Sequence, residues 1–128
     1  MNAHRIQKHE SFVQLDLRGG DLPELLASCT EFAVLCLTAR VRCALVQGGD
    51  EDTERRLAVR DLLKMIRAVG MPRDFRLALV PGTPRMRAVY QKSEAELRGA
   101  GVDARFFESE SLAVQWFGDE LLLEARAL

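Results

Sequence analysis

Histidine is nearly missing from this chain of 128 residues: there are two, His4 and His9, both in the polar first nine positions. A Ser-His-Asp relay needs an imidazole placed between nucleophile and acid, and no such order can be drawn here. Cysteine is scarce as well. Cys29, Cys36 and Cys43 are odd in number and seven apart, without the close pairs that a structural zinc or a dithiol redox motif uses. None stands at an electropositive helix start that would make its thiol reactive. They read as small core residues, Cys29 and Cys36 on one apolar helical face and Cys43 at the opening of a strand.

Net charge is also lacking. Eighteen Lys and Arg oppose nineteen Asp and Glu, a balance of −1, so no global field draws nucleic acid or an anionic membrane. Long apolar runs are absent too: the richest stretch, residues 25–46, is broken by Glu31, Arg40 and Arg42, and the opening MNAHRIQKHE has no apolar signal core. The expectation is a cytoplasmic protein with no integral membrane segment, no metal, no cofactor and no nucleic-acid partner. The carboxylates Glu108 and Glu110, near the end of an edge strand, read as surface charges and not as an acid-base pair. With no catalytic constellation in view, the chain is not expected to be an enzyme.

What is present is enough apolar material for one core. Hydrophobic residues make up 48% and charged residues 29% of the chain, which suits a single globular domain. Val13, Leu15 and Leu17 alternate with Gln14, Asp16 and Arg18, the period of a strand with one wet face, and residues 4–9 are expected to pair with it through a short hairpin. Leu25, Leu26, Cys29, Phe32, Ala33, Cys36 and Leu37 recur at three and four, a core-facing helix with Leu35 as an apolar residue on its polar side. The run from Cys43 to Val46 reads as a strand covered on both faces.

A second helix is expected from Val59, Leu62, Leu63, Ile66 and Val69, stopped by Gly70 and Pro72. A buried strand follows from Phe75 to Val80. Met86, Val89, Tyr90 and Leu97 mark a third helix, ended at Gly99-Ala100-Gly101. Val102, Ala104 and Phe106 alternate with Asp103 and Arg105, as an edge strand does. Leu112, Ala113, Trp116 and Phe117 begin the last helix. Strands alternating with helices imply parallel crossovers. The fold class expected is therefore α/β: one open, mixed, mostly parallel sheet of four to five strands, an N-terminal hairpin and about four helices.

Three strand exits carry the candidate chemistry. "RGGDLPELL" at residues 18–26 and "VQGGDEDTERR" at residues 46–56 share the letters GGD. Recurrence favours a turn and a helix cap: glycine permits a positive backbone angle, and Asp21 or Asp50 can accept from free helix amides. Neither matches a Walker or dinucleotide fingerprint, and Asp50, Glu51 and Asp52 would repel a phosphate. Those three acids could instead hold Mg²⁺, which takes oxygen ligands. The third exit, "LVPGTPRMRAVYQK" at residues 79–92, is cationic. Thr83 can cap, Pro84 fits the first turn, and free amides with Arg85 and Arg87 form a place for an anion. Gly82, Thr83, Arg85 and Arg87 are the candidate ligand residues, against the plainer reading of a solvated arginine face.

Two surface features complete the inventory. Arg56, Arg60 and Lys64 make a basic stripe without the interleaved aromatics that single-stranded nucleic acid would use. The ending "WFGDELLLEARAL" keeps adding leucines, which either cover the core or seek a partner. With Leu35, the residues Leu121, Leu122 and Leu123 are the candidate interface, with a homodimer among the outcomes.

The order of elements, the opening "RIQKHESFVQLDLRGGDLPELL" and the later "ELRGAGVDARFFESESLAVQWFG" (residues 96–118) resemble the bacterial SpoIIAA-like group of STAS domains. The resemblance runs from residue 4 to 118. It implies a STAS-like α/β domain over residues 1–118, leaving 119–128 as a Leu-rich helical extension. It further implies a non-catalytic regulatory or protein-interaction role, with an unknown protein partner. STAS antagonists of anti-sigma factors switch on a phosphorylatable Ser in an Asp-Ser-Ser-Gly-like loop. This chain has Gly48, Gly49, Asp50, Glu51, Asp52 and Thr53 there, so Thr53 is a hydroxyl in the neighbourhood and the switch does not carry over. The alternative expectation is a sensor or carrier for a small anionic ligand, phosphorylated, nucleotide or lipid, at the start of the third helix.

Overall fold

The computed structural model describes residues 5–38, 41–50 and 75–127, with Asp52, Asp61, Lys64 and Ala68 between them, and the backbone alone from residue 119. Strand β1 (Ile6–Lys8) turns back into β2 (Val13–Asp16), then helix α1 (Leu22–Thr38) leads to β3 (Cys43–Gln47). Strand β4 (Arg76–Val80) passes through a 3₁₀ turn (Pro84–Met86) into helix α2 (Arg87–Gly99), and β5 (Asp103–Phe106) is followed by helix α3 (Glu110–Ala127).

The five strands lie in consecutive order, β1 antiparallel to β2 and the rest parallel. The α/β class, the mixed and mostly parallel sheet and the N-terminal hairpin are thus as expected. The helix count differs: three α-helices lie among the described residues, against about four expected. The helix expected over residues 59–69 falls outside them, apart from Asp61, Lys64 and Ala68, which are helical and exposed.

Consecutive order with right-handed crossovers forces the connecting helices onto one face. Leu25, Cys29, Phe32 and Cys36 of α1 and Tyr90 and Leu97 of α2 accordingly share one core with Val13, Leu15, Ala44, Val46, Leu77, Leu79 and Ala104. The side chains of opposite parity, Cys43, Leu45, Ala78 and Val80, meet Ala113, Trp116 and Phe117 of α3. Strand β3 is therefore buried at every position, and its Leu45 and Val46 side chains each contribute about 1.5–3 kcal/mol by leaving water.

Edges and turns follow local chemistry. The β1–β2 hairpin closes across Glu10 and Ser11, the His9 amide donating to the Phe12 carbonyl at 2.9 Å. At the other edge β5 alternates Asp103 and Arg105 outward from Ala104. Helix α2 ends in a left-handed cap: Gly101 has φ +90°, its amide donates to Arg98 at 3.1 Å, and the Val102 amide reaches Leu97 at 2.9 Å. Both bonds satisfy carbonyls the helix end leaves open.

The α1 periodicity is only partly that of the core. Leu26 and Leu37, expected to face inward, are exposed, and Leu35, expected on the polar side, is half-buried against the α1-side core. Val89 and Leu112 are likewise exposed where a core position was expected. An apolar helix offers more than one face for burial, and the sheet covers only one.

Candidate ligand cleft at the carboxyl ends of the strands

The parallel strands all end at one rim, and the ladder continues one step past each strand. Leu17 donates to the Gln47 carbonyl at 2.9 Å, Gly48 to Val80 at 2.7 Å and Phe107 to Leu79 at 2.9 Å. The exits are thereby held in register, each beside the next.

At the first exit Gly19 and Gly20 take φ +72° and +86°, the conformation glycine adopts freely. Asp21 Oδ1 accepts the Glu24 amide at 2.9 Å as the helix cap. Arg5 clasps the loop: Nε donates to Glu24 Oε1 at 3.0 Å, Nη1 to the Asp16 and Arg18 carbonyls at 3.0 and 3.1 Å, and Nη2 to the Gly19 carbonyl at 2.8 Å. Asp16 is held below its ordinary pKa of 3.8. Its partial burial opposes this and is outweighed by donors from the Arg18 side chain and amide and by the nearby charges of Arg18 and Arg5.

At the second exit the same letters serve another purpose. Gly48 has no positive φ; a Cβ there would run into the Tyr90 ring and hydroxyl. The expected positive angle is thus corrected at Gly48, where glycine is required for space. A Cβ on Gly82 would meet the Gly48 and Gly49 carbonyls, so the β3 and β4 exits touch backbone to backbone. Asp50 closes the described part of this loop, and Glu51 and Thr53 lie outside the described residues. Among the described residues no group of three or more His, Cys, Asp or Glu is placed to hold a metal ion.

The third exit opens a cleft of about 180 Å³ lined by Pro81, Gly82, Thr83, Pro84, Arg87 and Glu108. Three of the four predicted ligand residues, Gly82, Thr83 and Arg87, come together there; Arg85 is exposed and not part of the lining. Thr83 holds the N-cap position with extended backbone, but its hydroxyl does not cap. Thr83 Oγ1 is shielded from water and has no hydrogen-bond partner among the described residues, an arrangement that costs about 1–3 kcal/mol unless a ligand or water supplies one. No acidic residue lies in the first turn of the 3₁₀ segment or of α2, so the helix supplies no acid of its own to its positive end.

Glu108, read from sequence as a surface charge, approaches from β5, its Oε1 3.1 Å from Arg87 Nη2. The free amides expected at this helix start are not present at Met86 and Arg87, which donate to the Thr83 and Pro84 carbonyls. The cleft so built can take a small anion on the Arg87 guanidinium and the Thr83 hydroxyl, in competition with one carboxylate. Glu108 and Tyr90 were the residues missed. A signal for Glu108 exists: it follows a parallel strand at its carboxyl end, where open α/β sheets bind ligands. Glu110, the other carboxylate, accepts from Gln14 Nε2 at 2.9 Å on the α3 side of the sheet.

The remaining candidates lie apart from the cleft. The cysteine thiols are buried. Burial pushes the Cys29 thiol up to about 11, against a smaller opposing effect of Arg5, and the Cys36 thiol up to about 12, so neither is a nucleophile at neutral pH. Leu121, Leu122 and Leu123 lie on the helical backbone of α3 with side chains outside the description. Arg56 and Arg60 lie outside the described residues. No helix among them is long and apolar enough to cross a membrane. Compared with known protein families, curated proteins and solved structures, the chain finds no match.

Proposed function

We propose that this chain is a non-catalytic, cytoplasmic regulatory or protein-interaction module of the STAS-like type, with the carboxyl rim of its sheet as the recognition surface. The observation that carries this reading is the contact of the β3 and β4 exits, Gly82 against the Gly48 and Gly49 carbonyls. It joins the loop at the STAS switch position and the cationic helix start into one surface. The strand order, with a hairpin at one edge and the last helix on the opposite face, accords with the resemblance.

Screening the purified chain for turnover across metabolite classes tests the non-catalytic half. No turnover is expected; turnover abolished by a single side-chain change overturns it.

A second reading, a sensor or carrier of a small anionic ligand, is favoured by the Thr83 hydroxyl beside Arg87, which has no hydrogen-bond partner among the described residues. A thermal-shift panel of phosphorylated metabolites, nucleotides and acidic lipids compares the wild type with Arg87→Ala and Arg85→Ala. A stabilising compound should act on wild type and Arg85→Ala and lose its effect in Arg87→Ala, because only native-state binding raises the melting temperature. A shift that survives Arg87→Ala, or no shift from any compound, removes this reading.

A further inference from the structure

Strand β5 ends the sheet, and an end strand offers backbone groups with which an extended polypeptide can pair. Its residues alternate in direction. Phe107 donates to the Leu79 carbonyl of β4 at 2.9 Å, and by the parity of a parallel ladder Asp103 and Arg105 turn the same way. Ala104 and Phe106 therefore aim their amides and carbonyls outward, away from β4. Two side chains of α2 lie on these outward groups. Arg98 Nε donates to the Ala104 carbonyl at 3.1 Å, and the Phe106 amide donates to Glu94 Oε2. The Ala104 amide is turned onto the Val102 carbonyl at 2.9 Å.

Helix and strand match in spacing and in direction. Glu94 and Arg98 stand four residues apart on α2, a rise of about 6 Å along a helix, while Ala104 and Phe106 stand two apart on β5, about 6.6 Å along a strand. Because the chain turns back at Gly101, the later helix residue meets the earlier strand residue. A donor on one carbonyl and an acceptor for the amide two residues on are the two bonds that a single residue of a sixth parallel strand would make. Arg98 is held further by Asp103, whose Oδ1 lies 3.8 Å from its Nη2.

We propose that Glu94 and Arg98 are a latch on the β5 edge: they take the place of a sixth strand and hold the edge shut against strand addition by another polypeptide. Releasing the latch uncovers a site for one extended segment, bound through its backbone. In a pure sample that segment is β5 of a second copy. Two copies paired antiparallel about Ala104 set Asp103 of each against Arg105 of the other, opposite charges facing across the pair.

Two measurements on the full chain test this, one of the latch and one of the edge beneath it. Amide hydrogen exchange followed by NMR should find the Phe106 amide slow in wild type and about tenfold faster or more in Glu94→Ala, because its protecting bond is gone. The Phe107 amide, bonded to Leu79 in the ladder, should not change. Sedimentation over a concentration series should show the double variant Glu94→Ala/Arg98→Ala associating about tenfold or more tightly than wild type, a gain of about 1.4 kcal/mol. Glu94→Gln/Arg98→Lys keeps an acceptor and a donor and should behave as wild type. Adding Arg105→Asp to the alanine double variant sets acid against acid and should undo the gain. Matching circular dichroism among the variants separates edge pairing from unfolding, and Glu94→Ala alone carries the test where the double variant does not fold. A Phe106 amide indifferent to Glu94→Ala overturns the proposal. So does a latch-free chain that associates no better than wild type, or an association that survives Arg105→Asp.

Discussion

Arg87 Nη2 and Glu108 Oε1 meet 3.1 Å apart at the cleft, with 49 and 60% of their side chains exposed. An ion pair that open to water is worth about 0–1 kcal/mol, so it acts on the charge of the cleft more than on the stability of the fold. Glu108→Gln should leave the melting temperature nearly unchanged and strengthen binding of any small anion several-fold, most clearly at low salt. Calorimetric titration of the two proteins with the same anion checks this, and equal affinities would remove Glu108 from the site.

Tyr90 occupies the space that a side chain at Gly48 would need, in the core on which the β3–β4 contact rests. Gly48→Ala should cost about 1–3 kcal/mol, the range for forcing extra methyl volume into a packed site. Adding Tyr90→Ala should give less than the sum of the two losses, because the second change removes the collision. Urea denaturation of the singles and the double measures the coupling.

Arg5 holds four acceptors around the first exit, and its side chain is only 11% exposed. Arg5→Ala leaves those carbonyls and Glu24 without their donor and should destabilise the chain by about 1–3 kcal/mol. Arg5→Lys should recover only part of this, since an ammonium cannot span the same fork of acceptors. Chemical denaturation of the three proteins gives the order.

Asp16 gives a pH dependence of known sign. Its pKa in the fold lies below the ordinary 3.8, so the unfolded chain takes up this proton first. The stabilisation is complete well above 3.8 and is lost as pH falls through the folded value. The stability difference between wild type and Asp16→Asn should be flat near neutral pH and shrink as pH drops toward about 2. Denaturation midpoints across that range check it; a difference independent of pH would contradict the assignment.

The parts of this fold legible in sequence were those set by local pattern. Val13, Leu15 and Leu17 announced a strand by period two, and residues 43–46 and 77–80 announced buried strands by their unbroken apolar runs. Gly101 announced the end of α2. The exposure of Leu26 and Leu37 on α1 was not legible, because they fit the helical period as well as Leu25 and Cys29 do. Only the sheet decides which set is buried. The contacts of Gly48 with Tyr90 and of Arg87 with Glu108 join residues far apart in the chain, and no spacing rule reaches them. Arg87 was found by its place after a parallel strand, and the same rule extended to β5 would have found Glu108.

Recognition at the carboxyl rim is tested most directly by photo-cross-linking in the living cell. A benzophenone side chain would replace exposed Arg85 at the rim or exposed Gln115 on α3, with adducts identified by mass spectrometry. A discrete adduct, polypeptide or small anion, from position 85 and none from position 115 is the predicted result. Adducts confined to position 115, or none from position 85, would contradict a recognition surface at the carboxyl ends of the strands.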